Sequence, residues 1–171
     1  MEIILLAAVT LDGKIARHAA HLSDWTSPED KQVFRTETRR AGVIIIGHNT
    51  FRTLRRPLPG RLHIVLTHAL ADKVNIPGAV EYTTATPAAI AADLAGRGFA
   101  RAILVGGAQV NALFLAADLV DEIWLTVEPI IFGQGVALFA GVALDRRARL
   151  LSLTPLNADA FQVRYRLRPG P

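Results

Sequence analysis

The chain has 171 residues, 51% of them hydrophobic, which suits one domain with a substantial core and excludes a disordered segment of this size. It has no cysteine, so disulfides, thiol nucleophiles and thiolate metal sites are excluded. A net charge of +4 and a pI near 10.1 favour anionic ligands. Basic residues are spread out, as at Arg39-Arg40, Arg55-Arg56 and Arg146-Arg147, and Arg164, Arg166 and Arg168 alternate on one face of a predicted strand. Few aromatics interleave with them, so a small anionic substrate is expected rather than nucleic acid.

Residues 2–9 read as a strand apolar on both faces, and hence central in a parallel or mixed sheet. This run is far shorter than the ~20 residues of a membrane span. It also follows Glu2 rather than a basic region, so neither anchor nor signal peptide is expected, and the cytoplasm is the expected compartment. Residues 10–16 read as a loop, followed by an irregular polar segment from Arg17 to Trp25 that is long enough to be functional. Ser27-Pro28-Glu29-Asp30 predicts a helix start, with Ser27 as N-cap, Pro28 at the first position and Asp30 where a capping-box acid sits. That helix runs to about Arg40, with Val33 and Phe34 as its main anchors.

Val43–Ile46 is a second buried strand, leading into Gly47-His48-Asn49-Thr50 and a short helix near Phe51–Arg55. After the rigid turn Arg56-Pro57-Leu58-Pro59-Gly60-Arg61 come strands at Leu62–Thr67 and Glu81–Thr84. A helix over about Pro87–Arg97 ends at Gly98. Ala102-Ile103-Leu104-Val105 is a buried strand turned by Gly106-Gly107 into a helix read as amphipathic. Bare N–H groups at such a helix start, together with the helix dipole, suit a phosphate. Glu122–Glu128 is a further strand, residues 129–135 a loop, and Arg149–Thr154 with Phe161–Leu167 a closing hairpin. The pattern predicts a single α/β domain over 1–171, a three-layer sandwich with a mixed sheet. The histidines at 18, 21, 48, 63 and 68 show no metal-site spacing.

Several of these segments, in this order, resemble the dihydrofolate reductase-like superfamily, and most closely the reductase domain of the bifunctional riboflavin-biosynthesis deaminase-reductase. They are Ala7-Ala8 with Leu11-Asp12-Gly13-Lys14-Ile15-Ala16, Ser23-Asp24-Trp25 with Ser27–Asp30, Gly47–Thr50, Gly106-Gly107, Leu119–Glu122 and Val127–Gly133. The resemblance implies NADPH as hydride donor. Ala8, Ile15, Ala16 and Trp25 would then border the nicotinamide. Gly47, His48, Asn49 and Thr50 would hold phosphate groups, and Thr67 and His68 would flank the adenosine. Val105, Gly106, Gly107, Ala108, Gln109, Val110 and Phe114 would form the diphosphate wall, with the Gly-Gly peptide often cis. A homodimer is also implied, with the apolar stretch from Gly133 to Leu144 as a contact surface.

Two substrates fit the resemblance. In the riboflavin branch, hydride goes to the ribosyl C1′ of 5-amino-6-(5-phosphoribosylamino)uracil, with Lys14, Arg39 and Arg61 as phosphate candidates and Ser23 and Leu58 on the substrate side. In folate reduction, hydride goes to a pterin C=N bond. Asp30 is then the buried catalytic acid, Thr126 its partner, and Arg61 the grip on a carboxylate. Val105 departs from the glutamate that riboflavin-branch reductases usually carry before Gly-Gly, yet more of the chain follows that branch. Plain roles remain open beside these: Asp30 as a helix cap only, Trp25 as cover for the sheet edge, and the whole chain as a non-catalytic NADPH-binding protein.

Overall fold

A computed structural model describes residues 1–141 and 145–168. Its strands are β1 (Glu2–Thr10), β2 (Lys14–Ala16), β3 (Val43–Gly47), β4 (Leu62–Leu66), β5 (Val80–Thr83), β6 (Arg101–Leu104), β7 (Glu122–Glu128), β8 (Val136–Ala137), β9 (Ala148–Pro155) and β10 (Phe161–Leu167). The helices are α1 (Pro28–Ala41), α2 (His48–Thr53), α3 (Pro87–Gly96) and α4 (Ala108–Ala116). Eight strands form one sheet in the order β5-β4-β3-β6-β1-β7-β10-β9. Every pair from β5 to β7 is parallel, and β10 runs antiparallel to both β7 and β9.

Alternation along the strands builds two core layers. Ile3, Leu5, Ile45 and Leu104 pack on one face with Leu94 of α3 and Phe114 of α4. Ile4, Leu6, Ile44 and Ile103 pack on the other with Trp124, and Val33 and Phe34 of α1 close over them. Helices therefore cover both faces, the expected three-layer sandwich with its closing hairpin.

Helix α4 departs from the sequence reading. It is not amphipathic: Ala108, Val110, Asn111, Ala112, Phe114 and Leu115 are all buried, because the sheet and the 138–139 segment enclose most of its circumference. The predicted loop at 10–16 contains a short strand, β2, which pairs antiparallel with β8, just past the predicted loop at 129–135, in a second, two-stranded sheet. Asp12 ties these loops together, accepting from the Thr10 hydroxyl at 2.6 Å and from the backbone N–H groups of Phe132 and Gly133 at 3.2 and 2.8 Å. Within the stretch expected as a contact surface, Leu138 and Phe139 are half-buried against the core; Val142–Leu144 lie outside the described residues.

Candidate active site

The C-terminal ends of β1, β3, β4, β5 and β6 open into one cavity of about 1510 Å³, the position ligands take in open parallel sheets. Single-ligand pockets are typically ~300–1,000 Å³, so this volume suits two ligands side by side.

One end of the cavity is built from backbone. Gly47 and Gly107 are the N-caps of α2 and α4, and neither helix start carries a side-chain cap. The donors there are bare and the local dipole is positive. Glycine is required by close approach: a Cβ on Gly47 would meet Val110 Cγ2 at 2.9 Å, and one on Gly107 would meet Thr50 Oγ1 at 2.7 Å. The two turns are joined by a bond from Gly47 N–H to Gly106 O at 2.7 Å, and the Gly106–Gly107 peptide is cis, as the resemblance implies. Ala8, Ile15, Ala16, Trp25, His48, Asn49, Thr67, His68, Val105, Ala108, Gln109 and Val110 line the same cavity. Phe114 does not: it is fully buried in the core under α4, so its assignment to the cofactor is corrected. His48 has its pKa held below the usual value, first by burial and then by the charges of Lys73 and Arg52, and its Nδ1 is buried without a partner.

At the other end stands α1. Its N-cap is Ser27, whose hydroxyl accepts from Asp30 N–H at 3.2 Å. Asp30 does not complete a capping box. Glu128 of β7 takes that role, its Oε1 accepting from Ser27 N–H at 2.8 Å and from the Ser27 hydroxyl at 2.7 Å. The Asp30 carboxyl instead lines the cavity and is buried, 9% exposed. Burial pushes its pKa up, with the charge of Glu128 acting the same way; the adjoining Thr126 and Thr26 hydroxyls and Lys31 oppose this. Neither threonine hydroxyl has a partner in full hydrogen-bond geometry; Thr26 lines the cavity, while Thr126 stands against Asp30 away from it.

Ser23, Leu58, Arg39 and Arg61 line this end, whereas Lys14 and Thr126 do not. Lys14 belongs to the β2–β8 ribbon and packs toward Gly135; Thr126 is fully buried behind Asp30. Arg61 is a buried cation, 6% exposed, that donates only to neutral oxygens: Pro59 O at 3.2–3.3 Å and the Thr38 hydroxyl. Burial, and then Arg39 and Arg35, hold its pKa below the usual value. The turn carrying it is anchored by His63, which is fully buried; Nε2 accepts from Leu58 N–H at 3.0 Å while Nδ1 faces Ala79 O at 2.9 Å.

Sequence reasoning missed Lys31, Arg35, Lys73 and Asn111, all of which line the cavity. Lys31 and Arg35 stand eight and four positions before Arg39, a spacing that puts all three on one helix face. Apart from Asp30, the acids of α1 turn elsewhere, Glu29 to Asn157 and Glu37 to Arg164. Among the described residues, Lys31, Arg35, Arg39 and Arg61 make no ion pair with a carboxylate. No group of His, Asp and Glu among the described residues would hold a metal, and no helix there is long and apolar enough to cross a membrane.

This sheet, with its glycine cradle and buried acid in one cleft, is the dihydrofolate reductase-like fold. Residues 1–162 match the RibD C-terminal domain, and the chain belongs to that family. A solved protein of riboflavin biosynthesis from Shewanella sp. PV-4 is 25% identical, with a TM-score of 0.79 covering 99% of this chain and 100% of that one. The diaminohydroxyphosphoribosylaminopyrimidine deaminase/5-amino-6-(5-phosphoribosylamino)uracil reductase of Thermotoga maritima is 20% identical and shares the fold with a TM-score of 0.80, over 98% of this chain and 56% of that one. By sequence, the chain is 32% identical over 104 residues to dihydrofolate reductase type 9 of Escherichia coli, a match spanning 60% of this chain and 57% of that one. Family and relatives together support a reductase of the riboflavin-pathway type.

Proposed function

We propose that this chain is an NADPH-dependent reductase acting on 5-amino-6-(5-phosphoribosylamino)uracil or a close analogue. One observation carries the reading: a single cavity large enough for two ligands joins an anion cradle made of backbone to an end lined by a buried acid and by four cations that, among the described residues, have no carboxylate partner. NADPH would be held by Gly47–Thr50 and Gly106–Val110, with its 2′-phosphate toward His48, Thr67, His68 and Lys73; bound there, it supplies hydride. The pyrimidine ring would meet the Asp30 carboxyl, which holds a proton, and the Thr26 hydroxyl, which orients ring donors, with Thr126 behind Asp30. Arg39 and Arg61, with Lys31 and Arg35, would neutralise the phosphate, because guanidinium forks match its oxygens. The enzyme would work in the cytoplasm as a homodimer.

A second reading, dihydrofolate reduction, is favoured by the Asp30 carboxyl itself, a buried acid whose pKa is raised and which is released from capping. Such a group can assist protonation of a pterin imine. Loss of NADPH absorbance with each substrate in parallel tests both. Oxidation with the phosphoribosylaminouracil supports the first reading, and oxidation with dihydrofolate alone replaces it with the second. Tight NADPH binding without turnover of either would leave a non-catalytic binding protein.

A further inference from the structure

Helix α1 begins Ser27-Pro28-Glu29-Asp30, and Asp30 occupies the third helical position, where a capping-box acid normally turns back to the N-cap N–H. Here that N–H is already taken. Oε1 of Glu128, from the end of β7, accepts both from it and from the Ser27 hydroxyl, at 2.8 and 2.7 Å. Glu128 is 4% exposed, and Ser27 and Glu128 are 101 positions apart in the chain. The bond therefore fixes the start of α1 to the sheet as well as satisfying an orphan donor.

We propose that Glu128 is the positioning residue of this site: by occupying the N-cap donors of α1, it keeps the Asp30 carboxyl out of the cap and in the cavity. Its role depends on Asp30 being the group that meets substrate, the reading proposed above. A carboxyl in the cap would accept a backbone N–H bond and favour its ionised form; one in the cavity, without that bond, keeps its proton more readily. The charged groups facing Asp30 are Glu128 from β7 and Lys31 from α1, and they act in opposite directions. The threonine hydroxyls from the preceding loop and from β7 complete its surroundings.

The test follows the Asp30 carboxyl carbon by NMR titration in the free protein, which needs neither substrate nor turnover. In Glu128→Gln the amide oxygen still accepts from Ser27 while the charge is gone, so the Asp30 midpoint moves to lower pH. In Glu128→Ala the cap is vacated and Asp30 turns back to it, so the midpoint moves lower still. With an active substrate, kcat/KM of Glu128→Ala falls roughly 10- to 100-fold, the scale of a small misplacement of a reacting group, while NADPH affinity holds. Should Glu128→Ala fail to fold, Glu128→Leu vacates the cap in the same way, and a midpoint there no lower than in Glu128→Gln overturns the proposal. Equal midpoints in the two variants would reduce Glu128 to a distant charge and also overturn it. Inactivity toward every substrate with the titration shifts intact would instead count against the proposed reaction alone.

Discussion

The Thr50 hydroxyl stands 2.7 Å from the place a side chain on Gly107 would occupy, so the starts of α2 and α4 touch through the absence of one atom. Gly107 has an ordinary negative φ of −74°, so alanine there is a steric change and not a backbone one. Gly107→Ala should weaken NADPH binding about 10-fold or more by pushing the two cradles apart, since small misplacements of ligand-holding groups are costly. Thr50→Ala in the same chain should restore much of that affinity. Isothermal titration of the single and double variants checks this; a lack of rescue would remove the contact as the cause.

Cofactor choice tests the opposite end of the same cradle. The 2′-phosphate of NADPH adds charge-assisted bonds that NADH lacks, so NADPH should bind at least ~10-fold more tightly, about 1.4 kcal/mol. His48 and Lys73 are the groups placed to make them, and because the pKa of His48 is lowered, it is neutral at pH 7 and gains charge only in more acidic solution. The NADPH preference should therefore grow as pH falls and disappear in His48→Ala/Lys73→Ala. Fluorescence titration of both nucleotides across pH decides it, and equal affinities in wild type would empty this corner of its assigned role.

Much of this architecture is legible in the sequence because its signals are local. Apolar runs mark β1, β3 and β6, and Ser27-Pro28 marks the start of α1. What escaped depends on partners distant in the chain. The β2–β8 ribbon has only three- and two-residue strands, too short for a periodicity, and forms because Asp12 gathers the loops. Phe114 is a cofactor residue only by the family resemblance, and the helix turns it into the core. Asp30 reads as a cap because nothing local reveals that Glu128 has taken the bond.

At the substrate end, charge rather than shape should control affinity. Arg39→Ala should chiefly raise KM for a phosphorylated substrate with kcat little changed, as loss of uniform binding does. Arg61→Ala should do the same and also destabilise the fold, because the guanidinium ties Pro59 O to the Thr38 hydroxyl. Steady-state kinetics with thermal melts separates the two effects. A fall in kcat at constant KM would move Arg39 away from substrate binding.

Assembly is expected to use the outer strand. β9 is exposed along most of its length, and Leu150, Leu151 and Leu153 stand in solvent on the sheet edge. Such edges invite pairing and apolar patches of this kind are covered in soluble proteins. Light scattering should return a dimer at micromolar concentration and a monomer for L150K/L153K. A monomeric wild type would end this expectation.

Asp30 separates the two chemistries and carries a stability signature independent of either. Its raised pKa means the folded state disfavours the ionised carboxyl. The contribution is intact below the ordinary value of 3.8, where folded and unfolded chains are both protonated, and is lost as pH rises through the raised value. Asp30→Asn stays neutral throughout, and its amide can donate to the orphan hydroxyls of Thr26 and Thr126. It should therefore melt higher than wild type at pH 7, by roughly 2–4 °C for each kcal/mol gained, with the difference vanishing in acid. The same variant should lose about 10²-fold or more in turnover if the substrate is a pterin whose imine needs protonation. With the phosphoribosylaminouracil the loss should be milder, since recognition of the phosphate dominates there. Melting curves across pH, set beside kinetics on both substrates, read the two effects separately. A wild type more stable than Asp30→Asn at neutral pH would show that the carboxylate is stabilised where it stands, and would remove Asp30 as the proton-bearing group of the site.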